Sequence, residues 1–77
     1  MKEVKILGSG CAKCHTLADQ TAKAAEELGI EINMEKVTNL ADIMKYGVMS
    51  TPALVVDGQV KVSGKVPNLN DIKKMLQ

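Results

Sequence analysis

The two cysteines of the chain, Cys11 and Cys14, stand close together in Gly8-Ser9-Gly10-Cys11-Ala12-Lys13-Cys14-His15. An apolar run precedes the stretch and a long amphipathic run follows it, which predicts a strand, a glycine loop and a helix that Cys11 opens. A helix start offers unpaired backbone N–H groups and a partial positive charge, and both favour an anion. A thiolate is an anion, so Cys11 is expected to have a lowered pKa and to be the reactive sulfur. Cys14 falls one turn further in, within reach of a mixed disulfide on Cys11. The chemistry of such a pair is dithiol–disulfide exchange, with Cys11 attacking and Cys14 resolving. Lys13, between them, is placed to stabilise the Cys11 thiolate.

Other uses of the pair fit less well. A bridge over so short a loop constrains the unfolded chain little, so it makes a poor staple. His15 completes a literal C-x-x-C-H, the c-type haem attachment pattern. Haem attachment needs export, a second axial ligand and a large pocket, and the chain shows no export signal. His15 reads instead as a solvated helix residue facing Asp19 one turn on.

The remaining residues limit the possibilities further. Seventy-seven residues suggest one domain over residues 1–77, near the lower limit for a single apolar core. The composition is 45% hydrophobic and 25% charged, and Tyr46 is the sole aromatic, so the core must be aliphatic. Net charge is +1, and neither a basic footprint nor stacking aromatics point to nucleic acid. No run approaches the roughly 20 apolar residues that span a bilayer, and the first residues lack the apolar core of a signal peptide. The expectation is a cytoplasmic protein with no nucleic-acid or membrane partner.

The elements that must hold the cysteines follow from hydrophobic periodicity. Val4 to Leu7 is a short apolar run, predicting a buried strand. From Cys14, Leu17, Ala18, Thr21, Ala24, Ala25 and Leu28 recur at helical spacing, and Gly29 ends the helix. Cys14 lies on that apolar stripe and is expected to point inward. Ile30, Ile32 and Met34 alternate with polar residues, predicting a strand with one wet face. Asn39, with Asp42 three residues later, reads as a helix cap, with Leu40, Ile43 and Met44 on one face of the helix it starts. Ala53 to Val56 is a second continuous apolar strand, and Asp57-Gly58 is a hairpin turn. Val60 and Val62 flank Lys61 on the return strand. Asn68 caps a last helix that turns Leu69, Ile72 and Leu76 inward. Met34, Met44 and Met75 read as core filler, and Met49 as lining the site. The order is β-α-β-α-β-β-α, an α/β protein. The two uninterrupted strands belong in the centre and the two alternating ones at the edges. A right-handed crossover then gives a mixed four-stranded sheet of order 2-1-3-4 with helices on both faces.

This combination of C-x-x-C after the first strand, element order and a Thr51-Pro52 turn before an apolar hairpin resembles the thioredoxin/glutaredoxin superfamily in its minimal form. It is most similar to the small archaeal and bacterial redox-active disulfide thioredoxin-like proteins. The resemblance covers the whole chain and implies a protein disulfide oxidoreductase. Cys11 matches the nucleophilic cysteine and Cys14 the resolving one. Pro52 matches the family's cis-proline, with Thr51 the preceding residue whose backbone pairs with substrate. Gly64 resembles the glycine that keeps the rim of the site open, and Gly10 completes that rim. The implied partners are a disulfide-containing protein and an external reductase or small-thiol donor, with no bound cofactor and no metal.

The departures from the family pattern are specific. Gly8-Ser9-Gly10 stands where thioredoxins carry a Trp before the first cysteine, and Lys5 lies about where they carry a buried acid. Thr51 and the single Gly64 replace the valine and the glycine pair with which glutaredoxins hold glutathione. The runner-up reading uses the same two thiolates to bind or carry a soft metal, Cu(I) or Zn(II). Small copper chaperones, however, end on a strand, whereas residues 68–77 read as a helix.

Overall fold

The computed structural model describes residues 2–8 and 12–77. Met1, Ser9, Gly10 and Cys11 lie outside the described residues, and with them the expectations made for Gly10 and Cys11. The elements run β1 (Lys2–Leu7), α1 (Ala12–Leu28), β2 (Ile32–Val37), α2 (Leu40–Lys45), β3 (Ala53–Val56), β4 (Gln59–Ser63) and α3 (Leu69–Leu76). The sheet order is β2-β1-β3-β4, with β1–β2 parallel and the other two pairs antiparallel. Architecture and strand order are those the sequence predicts.

The sheet separates two apolar layers. Val4, Ile6, Leu54, Val56 and Val62 pack with Leu17, Ala18, Ala24 and Ala25 of α1 and Ile72 and Leu76 of α3. Leu7, Val37, Ala53 and Val55 face the other way, towards Ile43 of α2. Every residue of β3 is buried, as expected of a central strand covered on both faces. In β2, Ile32 and Met34 are half-buried between exposed neighbours, the pattern of an edge strand.

Local signals set the boundaries. Gly29, at φ +70°, ends α1 in a Schellman motif: its N–H donates to Glu26 C=O at 3.1 Å, and Ile30 N–H donates to Ala25 C=O at 3.1 Å. Asn39 Oδ1 accepts from Ala41 N–H at 2.8 Å to cap α2, and Asn68 Oδ1 accepts from Asp71 N–H at 2.9 Å to cap α3. Asp57 and Gly58, at φ 50° and 82°, form the turn between β3 and β4. The Asp57 carboxylate accepts from Glu3 N–H at 3.0 Å, tying that turn to β1. This N–H, assisted by the nearby Lys2 ammonium, holds the carboxyl below its usual range. Lys73 of α3 reaches Glu27 of α1 at 2.6 Å, and this hydrogen bond lowers the Glu27 pKa.

Two expectations are corrected. In α2 only Ile43 is buried, while Leu40 is 69% and Met44 65% exposed. A helix this short meets the sheet through Ile43 alone rather than through a stripe, so Met44 is not core filler. In β4 a bulge pairs Val55 with Val60 and Leu54 with Val62, leaving Lys61 as the extra residue. Val60 and Val62 therefore face opposite sides of the sheet; Val62 is buried and Val60 exposed. Among the described residues no helix is long and apolar enough to cross a membrane.

Candidate functional site

Cys14 sits in the first turn of α1 and is buried, as its place on the apolar stripe requires. What allows that position is Gly8, immediately after β1. A Cβ added at Gly8 would overlap Cys14 Sγ and lie 3.3 Å from Cys14 Cβ. The same point is 3.7 Å from Thr51 Cβ, so Gly8, Cys14 and Thr51 converge. Gly8 is fixed there by its own N–H, which donates to Val37 C=O at 3.0 Å and carries the β1–β2 ladder one step beyond β1.

The Thr51–Pro52 peptide bond is cis, as the resemblance implies, and Pro52 is buried while Thr51 is exposed. Gly64 lies against this turn: its N–H donates to Pro52 C=O at 2.8 Å, and a Cβ on it would come within 3.1 Å of Ser50 Cβ. Of the residues singled out from the sequence, Cys14, Thr51, Pro52 and Gly64 thus gather at one end of the sheet. Lys13 is exposed on α1 beside Cys14. The first turn of α1 contains no acidic side chain. Met49, two residues before Thr51, is 96% exposed, so it does not line the site from within.

A cavity of about 20 Å³ borders Cys14, lined by Ile6, Gly8, Cys14, His15, Lys36 and Thr38. It makes Ile6, not Lys5, the strand residue beneath the sulfur. Lys5 points to the opposite face, 3.9 Å from Glu35 and 6.0 Å from the Tyr46 ring centroid. Its pKa is raised, first by the hydrogen bond to Tyr46 and by its attraction to that side chain, then by Glu35. A wider groove of about 490 Å³ runs between β2 and α2 and shares Lys36 and Thr38 with the small cavity. Its charges largely satisfy one another, through Lys5–Glu35 and a 3.4 Å contact between Lys45 and Asp42.

Sequence reading missed Gly8 as a steric requirement, and it missed Lys36 and Thr38 altogether. The signal for Lys36 was present. The inward alternation Ile32, Met34 continues to residue 36 once β2 is seen to run to Val37. His15 is exposed on α1, as expected, and borders the cavity; no ion pair with Asp19 forms among the described residues.

Comparison with known proteins adds a further finding. Residues 2–77 match a family described as "Thioredoxin domain". A protein named "Thioredoxin" from Methanothermobacter thermautotrophicus is 38% identical over 76 residues, covering 99% of both chains. Another of that name from Methanocaldococcus jannaschii is 36% identical over 77 residues, covering 100% of this chain and 88% of its own.

Proposed function

The chain belongs to the thioredoxin family, and from that premise we propose that it is a thiol–disulfide oxidoreductase working through Cys11 and Cys14 as one 77-residue domain. The observation that carries the reading is the burial of Cys14 in the first turn of α1, packed on Gly8 and beside the Thr51–Pro52 turn. A sulfur held there is shielded from solvent and from adventitious partners. It is open chiefly to an attack on its near neighbour in the chain.

Position 11 directly precedes the helix, where a thiolate is favoured by the N-terminal N–H groups, and no acid in the first turn opposes it. The Cys11 thiolate attacks one sulfur of a partner disulfide, forming a Cys11–partner bond and expelling the other partner sulfur as a thiolate. The Cys14 thiol loses its proton to solvent and attacks Cys11 Sγ. The Cys11–partner bond breaks, and the second partner sulfur leaves as a thiolate. The partner has then gained two electrons and the pair has lost two. An external reductase or small thiol restores the dithiol by the reverse sequence. Gly10, Thr51, Pro52 and Gly64 form the rim on which the partner's extended segment lies, and Lys13 adds positive charge beside it. The soft-metal reading is not favoured, because the matching family is a thioredoxin domain and both matching relatives carry the name thioredoxin.

Trapping tests the assignment. Cys14→Ser should accumulate mixed disulfides through Cys11 when mixed with oxidised partner, and Cys11→Ser should not. Equal trapping by the two variants would overturn the roles given to the two sulfurs.

A further inference from the structure

Strand register gathers several segments at one end of the sheet. Leu7 pairs with Val37 and with Ala53, and Ala53 pairs with Ser63, so α1 begins and the Thr51–Pro52 turn closes at the same end. Lys13 stands in the first turn of α1. Lys65 follows Gly64, whose N–H donates to Pro52 C=O at 2.8 Å. Lys36 is the last residue but one of β2. All three are exposed, and none makes an ion pair among the described residues.

The acids lie elsewhere. Residues 12–18, 36–41, 47–53 and 62–66, which supply this end, contain no Asp or Glu. The Lys2–Asp57 pair sits at the opposite end of the sheet, and Lys73–Glu27 joins α3 to the last turn of α1. Glu35 and Asp42, which flank residues 36–41, are held by Lys5 and Lys45. Asp19 is a turn and a half beyond Lys13 along α1, about 9 Å by helical rise. The net charge of +1 thus divides unevenly: three lysines without an acid at this end, seven lysines with nine acids over the rest. Beside the turn, the exposed Met49, Ser50 and Thr51 are uncharged. Charges around a docking surface act mainly on the rate of encounter and on the choice of partner. Lysines without an acid of their own molecule keep that influence for the partner.

We propose that Lys13 and Lys65 select partners whose disulfide is flanked by acidic residues. The proposal rests on the oxidoreductase reading above and names the substrate class of that same rim. An acidic segment laid across Thr51–Pro52 meets one lysine from α1 and one from the segment after β4, and a basic segment is repelled by both. The electron transfer itself is unchanged: the partner's S–S bond takes two electrons from the Cys11–Cys14 pair, and the lysines form no covalent bond.

The test uses the reduced full chain and three disulfide-cyclised peptides that differ only in the residues flanking each cysteine: Glu, Gln or Lys. Second-order rate constants for their reduction are read by acid quench and chromatography. At about 0.1 M ionic strength screening acts over about 10 Å, well below the molecule's 33 Å length, so remote charges count little. The Glu peptide should be reduced about five- to twentyfold faster than the Lys peptide, with the Gln peptide between them. The ratio should fall to about twofold or less at about 1 M salt. Lys13→Gln with Lys65→Gln should cut it about three- to tenfold, and Lys13→Glu with Lys65→Glu should invert it. Lys23→Gln with Lys74→Gln, which removes two exposed charges far from this end, should change it by less than about twofold. Because the ratio compares two substrates of one chain, any change in Cys11 reactivity cancels from it. Rates indifferent to peptide charge, a preference for the Lys peptide, a ratio that survives the changes at Lys13 and Lys65, or one lost with Lys23 and Lys74 would overturn the proposal and leave the oxidoreductase reading standing. If no peptide is reduced, the oxidoreductase reading itself fails and takes this assignment with it.

Discussion

Replacing Gly8 by alanine puts a methyl group into the volume that Cys14 Sγ occupies. One of the two must shift, although Gly8 is held by its hydrogen bond to Val37 and Cys14 by its burial in α1. Overpacking of this kind costs about 1–3 kcal/mol. Gly8→Ala is therefore expected to lower the urea midpoint and also to change the rate at which Cys14 is alkylated in the reduced protein. Gly29→Ala is the contrasting case. An added Cβ there meets nothing within 4 Å, so the penalty comes only from φ +70°. It should cost about 1 kcal/mol of stability and leave thiol chemistry unchanged. A Gly8→Ala variant with normal alkylation would show that the sulfur does not depend on the missing side chain.

At the scale of elements, the two capped helices are fastened very differently. α3 inserts Ile72 and Leu76, both fully buried, and bonds to α1 through Lys73 and Glu27. α2 contributes one buried side chain. Losing an Asn cap costs about 1 kcal/mol of helix stability. In Asn68→Ala the whole loss should appear in global unfolding, because α3 cannot detach without opening the larger apolar layer. In Asn39→Ala much of it should appear as faster amide exchange confined to α2, with a smaller shift of the urea midpoint. Equal midpoint shifts with unchanged exchange in α2 would contradict that difference in fastening.

For the molecule as a whole, stability is concentrated in the sheet and the α1–α3 layer. Leu54, fully buried on the central strand β3, joins both helices to the sheet. Leu54→Ala should cost about 2–5 kcal/mol, a large share of the roughly 4–12 kcal/mol expected for a chain of this size. Acid should weaken the fold through two named carboxylates. Asp57 and Glu27 are both lowered below their ordinary values of 3.8 and 4.5. A carboxyl lowered in the folded state stabilises fully above its unfolded pKa, and the contribution disappears as pH falls through the folded one. The urea midpoint should therefore fall as pH drops below those ordinary values, and Asp57→Asn should flatten part of that decline. A midpoint indifferent to pH in that range would remove these contacts from the account.

The sequence alone determined what depends on near neighbours in the chain. Periodicity placed Cys14 on the buried stripe of α1. Asn39, Asn68 and Gly29 marked helix ends, and two unbroken apolar runs marked the central strands. Only the tertiary structure decided what depends on register across strands and on space between elements. The bulge at Lys61 sends Val60 and Val62 to opposite faces, and the register of β2 with β1 sets Lys36 beside Ile6 on the border of the cavity at Cys14. The physical reason is range. Helix caps and alternation are fixed by bonds within a few residues, whereas the room beneath a sulfur depends on how closely residues 8, 14 and 51 approach, and no local pattern encodes that distance.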